Sequence, residues 1–394
     1  MSGPLEGVRV VELGVWVAGP GAAGLLADWG ADVVKIEPPA GDPARTFGPL
    51  LGGTVDDNPV FELDNRGKRS IVLDLSTDDG RDTAHELIAG ADVFLTNIRP
   101  AALGRLGLDH EALLAAHPQL IYALLTGYGL AGPEAASAAY DIAAYWARSG
   151  MAASLQVPGS DLPLQRGGMG DHTVAMTGAA MVSAALFERT RTGKGQLVTT
   201  SLLRQGVYTL GFDVNVAVMW GQTLATGVRE TMPNPTVNNY TAGDGERFWL
   251  VGLEGDRHWP ALLRAIDRIE WLDDERFLTR RERAINAREL VAELDAIFAT
   301  RPRAEWAAVF DAEPDVFWAP VNTIEDLLAD EQFHASGAIV TVPGDDGDAL
   351  MLASPADFGG VPVAPRWRAP RLGEHTDEIL RELGRGADAD QPDP

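Results

Sequence analysis

Five short, almost wholly apolar segments punctuate the first 130 residues and constrain the fold more than any other feature of the chain. They are "GVRVVEL" (7–13), "ADVVKIE" (31–37), "SIVLDL" (70–75), "DVFLTN" (92–97) and "LIYALLTGYG" (120–129). Near-continuous apolar runs of this length read as strands covered on both faces, because a strand with one wet face would alternate. Helix-like stretches fall between some of them: "GAAGLLADWG" (21–30), 78–89 and 109–116. Strand–helix alternation of this kind predicts a doubly wound, mainly parallel α/β sheet.

The pattern changes after a helical run at 172–190. The polar, proline-bearing "GVRETMPNPTVNNY" (227–240) reads as a connection rather than an element. "ERFWLVGL" (246–253) then reads as a strand, and 256–310 carries helical patterning with charged faces, enough for a second domain. Strand-like "GAIVTV" (337–342) and "ALMLASP" (349–355) follow, and the tail from 385 on is too polar to pack. A chain of 394 residues is expected to form two domains rather than one core.

Charge and cysteine content exclude several functions. The formal charge of −25 repels nucleic acid and anionic membranes, so neither is expected as a partner. There are no cysteines, which removes thiolate nucleophiles, disulfides and cysteine metal sites together. The seven histidines are scattered without HxxxH or HxH spacing, so no metal site is expected. No apolar stretch approaches a membrane span and no secretory pattern opens the sequence; the expected location is cytoplasmic.

Four local features could carry chemistry. Gly19, Gly21 and Gly24 spell G-x-G-x-x-G between a strand and a helix, with Glu37 ending the next strand. That is the outline of a dinucleotide site, although "GVWVA" intervenes and Pro20 stiffens the turn. Lys35, Arg45, Arg66, Lys68, Arg69, Arg99 and Arg105 crowd the first 105 residues. Most such residues are solvated surface, but two or three converging at strand ends could hold a polyphosphate. Tyr140 and Asp141 precede an apolar helix, where Asp141 reads as an N-cap. In "QRGGMGDHTVAMTGAAMVSAALFERTRTGKGQ" (165–196), Asp171 stands between a glycine-rich hinge and a run of small apolar residues. It reads either as a helix N-cap or as a nucleophile kept ionised by the helix dipole.

Taken together, these segments resemble the family III CoA-transferases, the group that includes formyl-CoA and carnitine CoA-transferases and alpha-methylacyl-CoA racemase. The resemblance runs in order through "VRVVELGVWVAGPGAAGLLADWGADVVKIEPPAGDPAR", "NRGKRSIVLDL", "DVFLTNIRPAALGRLGL", "YALLTGYGLAGP", "YDIAAYWARSG", "GDHTVAMTGAAMVSAALFERTRTGKGQ", "NPTVNNYTAGDG" and "PRLGEHTDEIL", about residues 5–380.

The resemblance implies a Rossmann-like large domain (1–205), a linker (206–235), a small α+β domain (236–325) and a return to the large domain (326–384), in an interlocked homodimer. It implies that Asp171 is the catalytic nucleophile, with Tyr140 beside the reacting centre. The substrates would be an acyl-CoA and a small carboxylic acid, with coenzyme A as substrate and no permanently bound cofactor. By motif position the CoA pocket would draw on Val17, Ala18, Leu73, Asn97, Ile98, Arg105 and Leu106. Family members often carry a basic residue where this chain has Pro38, and formyl-CoA transferase has lysines where Ser76 and Ala138 stand here; Arg45 and Arg99 are the candidate substitutes. The racemases carry a histidine at the position of Tyr140, and tyrosine is a poor base near neutrality. Transfer of CoA between acids is therefore the expected activity, 2-methylacyl-CoA racemisation the alternative, and an NAD-dependent dehydrogenase a distant third.

Overall fold

The computed structural model describes residues 3–55, 58–342 and 347–385. The chain forms two compact units. The first contains residues 1–154, 163–223 and 332–394 and is built on six strands: β1 (Arg9–Leu13), β2 (Asp32–Glu37), β3 (Arg69–Val72), β4 (Val93–Thr96), β5 (Ile121–Thr126) and β6 (Gln196–Ser201). All pair in parallel in the order β3-β2-β1-β4-β5-β6. The five apolar segments supply five of these strands, so the expected parallel α/β sheet is what forms. Strand order reverses between β1 and β4, and in sheets of this order ligands bind beyond the carboxyl ends of the strands at that point.

Apolar clusters cover both faces. On one, Val10, Val33, Val93 and Ile121 meet α1 (Ala18–Asp28). On the other, Val11, Ile36, Ile71 and Phe94 meet α3 (Asp78–Ala89), numbered after α2 (Pro59–Asn65). Next comes α4 (Pro100–Leu106), then α5 (Met169–Thr192), which lies against α1. The small-residue run of α5 is what permits that packing: a Cβ on Gly178 would stand 3.0 Å from the Ala22 methyl.

The three glycines of the G-x-G-x-x-G segment do a similar job. They lie inside α1 rather than in a turn before it. A Cβ on Gly19 would stand 3.0 Å from the Asn97 side chain, one on Gly21 3.0 Å from an Asp64 oxygen, and one on Gly24 2.8 Å from the Asp64 carbonyl. These glycines let neighbouring elements close on α1.

After α6 (Gly211–Trp220) the chain enters the second unit, residues 155–162 and 224–331. The helical patterning is realised in α7 (Gly255–Ala265), α8 (Ala287–Phe298) and α9 (Arg303–Asp311). The unit also holds an antiparallel sheet of β7 (Val237–Thr241), β8 (Arg247–Val251) and β9 (Trp318–Pro320). Here the reading of 227–240 as a pure connection needs correction, since its end is β7. The strand is polar, but alternate residues Asn238 and Tyr240 are buried opposite Leu250 and Phe248. Asn238 is accommodated because its amide donates to the Arg229 carbonyl at 2.9 Å.

The C-terminal part belongs to the first unit, and its helix Thr376–Glu382 covers the exposed edge of β3. His375 N–H donates to the Ser70 carbonyl at 3.0 Å, Ile379 is buried, and Arg69 reaches Glu378 and Glu382 at 3.1 and 2.7 Å. An otherwise unpaired strand edge is thereby protected. Arg385, which the sequence assigns to a disordered tail, pairs with Glu86 at 2.7 Å and Asp79 at 2.9 Å; the rest of that tail lies outside the described residues.

Candidate functional site

The loop after β1, at the reversal of strand order, is held by side chains from other elements. Asn97, just past β4, accepts from Val15 N–H at 3.0 Å and donates to the Val15 carbonyl at 2.8 Å. The next residue, Trp16, has φ 67, a left-handed conformation that costs a bulky side chain on the order of 1–3 kcal/mol. Its N–H is held by Asp42 at 3.0 Å, and its ring meets Tyr140 edge-on with centroids 6.0 Å apart. Tyr140 itself is 65% exposed. The loop that Asn97 anchors thus carries one ring of an aromatic pair.

Asp141 follows Tyr140 at the head of a π-helical turn, Ile142–Ala147, but its carboxylate does not cap that turn. It accepts from Gly170 N–H at 3.1 Å and from the Gln165 amide at 2.6 Å. Asp141 thus supplies, from a distant segment, an acceptor for the first turn of α5. The N-cap position of α5 belongs to Gly168, with φ 79, and not to Asp171 as the capping reading expected. Asp171 is the third residue of the helix, in its first turn, and no hydrogen bond from a described residue reaches its carboxylate. Next to it, His172 Nε2 lies 3.2 Å from Oδ1 of the buried Asp64, at the end of α2.

Burial is the larger influence on Asp171 and the neighbouring Asp141 carboxylate the next; with Asp64 they push it up to about 7, against the opposing pull of His172. These influences run against the helix dipole, which favours the ionised form. Burial likewise raises Asp64, while His172 is raised chiefly by its hydrogen bond to Asp64.

The crowded basic residues mostly face inward. Lys35 reaches Glu12 and Asp42, both at 2.9 Å, and Lys68 reaches Glu12 at 2.7 Å, the Pro20 carbonyl at 2.8 Å and Asn65 at 3.0 Å. Burial pulls Lys68 down to about 8 against the pull of Glu12, which leaves the ammonium dominant at neutral pH. Arg45 forks onto Glu37 at 2.9 and 2.7 Å, donates to the Pro370 carbonyl at 3.1 Å and covers the Phe61 ring. Arg66 pairs with Asp28 at 2.8 Å and Arg69 with Asp32 at 2.8 Å. A phosphate at Arg45 would have to displace Glu37. The same pairing buries Glu37, so no ribose hydroxyl can meet it, and the dinucleotide reading fails on that residue as well as on its glycines.

Arg99 and Arg105 differ, lying exposed at the start and end of α4. Leu73, Ile98 and Leu106 belong to one apolar cluster past the ends of β3 and β4, while Val17 and Ala18 begin α1 past the end of β1. The sequence reading missed Trp16, Asp64, Gln165 and His172. Only the position of His172 beside Asp171 gave a signal; the others are distant contacts. Among the described residues, no group of three or more potential metal ligands occurs and no helix is long and apolar enough to cross a membrane.

Comparison with known proteins adds a consistent result. The profile of CoA-transferase family III matches residues 5–376. An (R)-2-hydroxy-4-methylpentanoate CoA-transferase of Clostridioides difficile is 32% identical over 96% of this chain and 95% of its own length. A cinnamoyl-CoA:phenyllactate CoA-transferase of Clostridium sporogenes is 33% identical over 96% and 93%. The crystal structure of a CAIB/BAIF family protein from Brucella suis superposes with a TM-score of 0.83 at 32% identity, covering 97% of this chain and all of that one.

Proposed function

The chain belongs to CoA-transferase family III, and from that premise we propose that Asp171 carries coenzyme A from an acyl-CoA thioester to a free carboxylic acid. One observation carries the reading. Of the three carboxylates at the head of α5, Asp64 is occupied by His172 and Asp141 by Gly170 and Gln165, while Asp171 has no hydrogen-bonding partner among the described residues. A carboxylate free of partners, with its protonation balanced near neutrality, suits nucleophilic attack.

In this mechanism an Asp171 oxygen attacks the thioester carbonyl, the C–S bond breaks, and CoA leaves as thiolate from an aspartyl–acyl anhydride. The thiolate then attacks the aspartyl carbonyl; the donor acid departs as carboxylate and an aspartyl–CoA thioester remains. The acceptor carboxylate repeats the two steps in reverse, which regenerates Asp171. Each step passes charge between oxygen and sulfur with no net proton or electron. Val17, Ala18, Leu73, Asn97, Ile98 and Leu106 are the proposed CoA contacts, with Arg99 and Arg105 for its phosphates, since the other basic residues are engaged internally. Tyr140, paired with Trp16, borders the acyl end.

Homodimer formation is part of the proposal. Helix α6 has no buried residue, and Phe212, Val218, Met219 and Trp220 are each at least two-thirds exposed. An apolar face of that size needs a partner surface. Dilution to nanomolar concentration in the ultracentrifuge should leave a dimer; rapid dissociation would contradict interlocked chains.

The assay that tests the function is a mass-spectrometric screen of acyl-CoA donors against a panel of small carboxylic acids. Transfer of CoA without deuterium uptake at the α-carbon in deuterium oxide supports the reading. Enzyme-dependent α-deuteration with no transfer to any acid would favour racemisation instead.

A further inference from the structure

The region around Asp171 holds a second arrangement that the reaction scheme does not use, a half-exposed histidine on a buried carboxylate. Asp64 occupies a niche between α1 and α5, open only because residue 21 is glycine: a Cβ there would stand 3.0 Å from Oδ1 and 3.1 Å from the Ala175 methyl. From the niche it contacts His172 at 3.2 Å. The ring lies beside Gly168, where a Cβ would stand 3.2 Å from it, so any side chain at 168 would crowd the imidazole.

A cation in the first turn of a helix opposes the dipole, so an unassisted histidine there would lose its proton readily. Asp64 reverses that preference. Three charged groups bear on Asp171: Asp141 ahead of the π-helical turn, Asp64 on α2, and His172 on its own helix. Lys68 and Lys35 stand behind Asp64 but are committed to Glu12. Among the described residues, His172 alone opposes the Asp171 and Asp141 carboxylates.

We propose that the Asp64–His172 pair is a positioning device for the nucleophile: buried Asp64, 3.2 Å from Nε2, holds the imidazole beside Asp171 in the first turn of α5, where its charge counters Asp141 and Asp64. This rests on the reading of Asp171 as nucleophile, but its test does not depend on substrate.

Full-length protein labelled with carboxyl-13C aspartate is titrated by NMR, and the Asp171 signal is the one missing from Asp171→Asn. His172→Gln keeps a polar group facing Asp64 and removes the charge; the Asp171 midpoint should rise by at least about half a pH unit. His172→Arg restores a cation and should leave the midpoint at or below that of the wild type. With any donor found active, the acid limb of turnover should move in step. Equal midpoints in all three proteins, or a fall in His172→Gln, overturn the proposal.

Should His172→Gln fail to fold, Asp64→Asn carries the test through the imidazole signal of His172, whose midpoint must fall; an unchanged midpoint overturns the proposal too. If Asp171→Asn retains turnover, the nucleophile reading fails while the midpoints still judge the pair.

Discussion

Two clusters of buried charge lie in the first unit, and they are built on opposite plans. Beneath the β1 loop, Glu12, Glu37 and Asp42 face Lys35, Lys68 and Arg45, three carboxylates against three cations, with the donors spread over carbonyl and amide oxygens as well. At the head of α5, Asp64, Asp141 and Asp171 face one imidazole. The first cluster is balanced and serves the fold. The second is left short of positive charge, and the deficit falls on Asp171. On the proposed reading, buried charge marks function where compensation is incomplete, not where charge is densest.

Breaking the balanced cluster should have the largest effect. Lys68→Met strands Glu12 beside a single remaining cation and should cost about 3–5 kcal/mol, read as a loss of denaturant midpoint. If the variant is as stable as wild type, the cluster is not the structural element described.

Relieving the unbalanced cluster should do the opposite. The neighbours of Asp171 push it from its ordinary 3.8 up to about 7, so stability is lost as pH rises from about 4 to about 7. Asp171→Asn should therefore stabilise the fold by on the order of 1–2 kcal/mol at about pH 8, discounted for partial exposure, and by little at about pH 4. Equal stability at both values would remove the claimed strain. For the same reason wild-type turnover should fall as pH drops through about 7, where the proposed nucleophile becomes protonated. The smallest effect is expected at the rim: Arg105→Ala should raise KM for the acyl-CoA donor several-fold with kcat nearly unchanged. An unaltered KM would take Arg105 out of the phosphate site.

Much of the parallel sheet was legible because doubly covered strands write continuous apolar runs, as "VRVVEL" and "DVFLTN" do. Strand β7 was not, because Asn238 faces inward and is satisfied by a carbonyl that no local pattern reveals. Asp171 could be singled out, but its cap could not, since Gly170 is bonded by Asp141, 29 residues away. The basic residues misled for a related reason. Lys35 and Arg45 look like a surface cluster until their partners, Glu12 and Glu37, arrive from other parts of the sheet. Composition gives the charges; only tertiary pairing tells which are spent.

The unspent carboxylate can be trapped directly. Wild-type enzyme is exposed to an active acyl-CoA donor, treated with hydroxylamine, digested and mapped by mass spectrometry. A hydroxamate on Asp171, formed only after donor is added and absent from Asp171→Asn, is the expected result. Modification at another carboxylate, or normal turnover by Asp171→Asn, would contradict the assignment of Asp171 as the group that carries the acyl and CoA moieties.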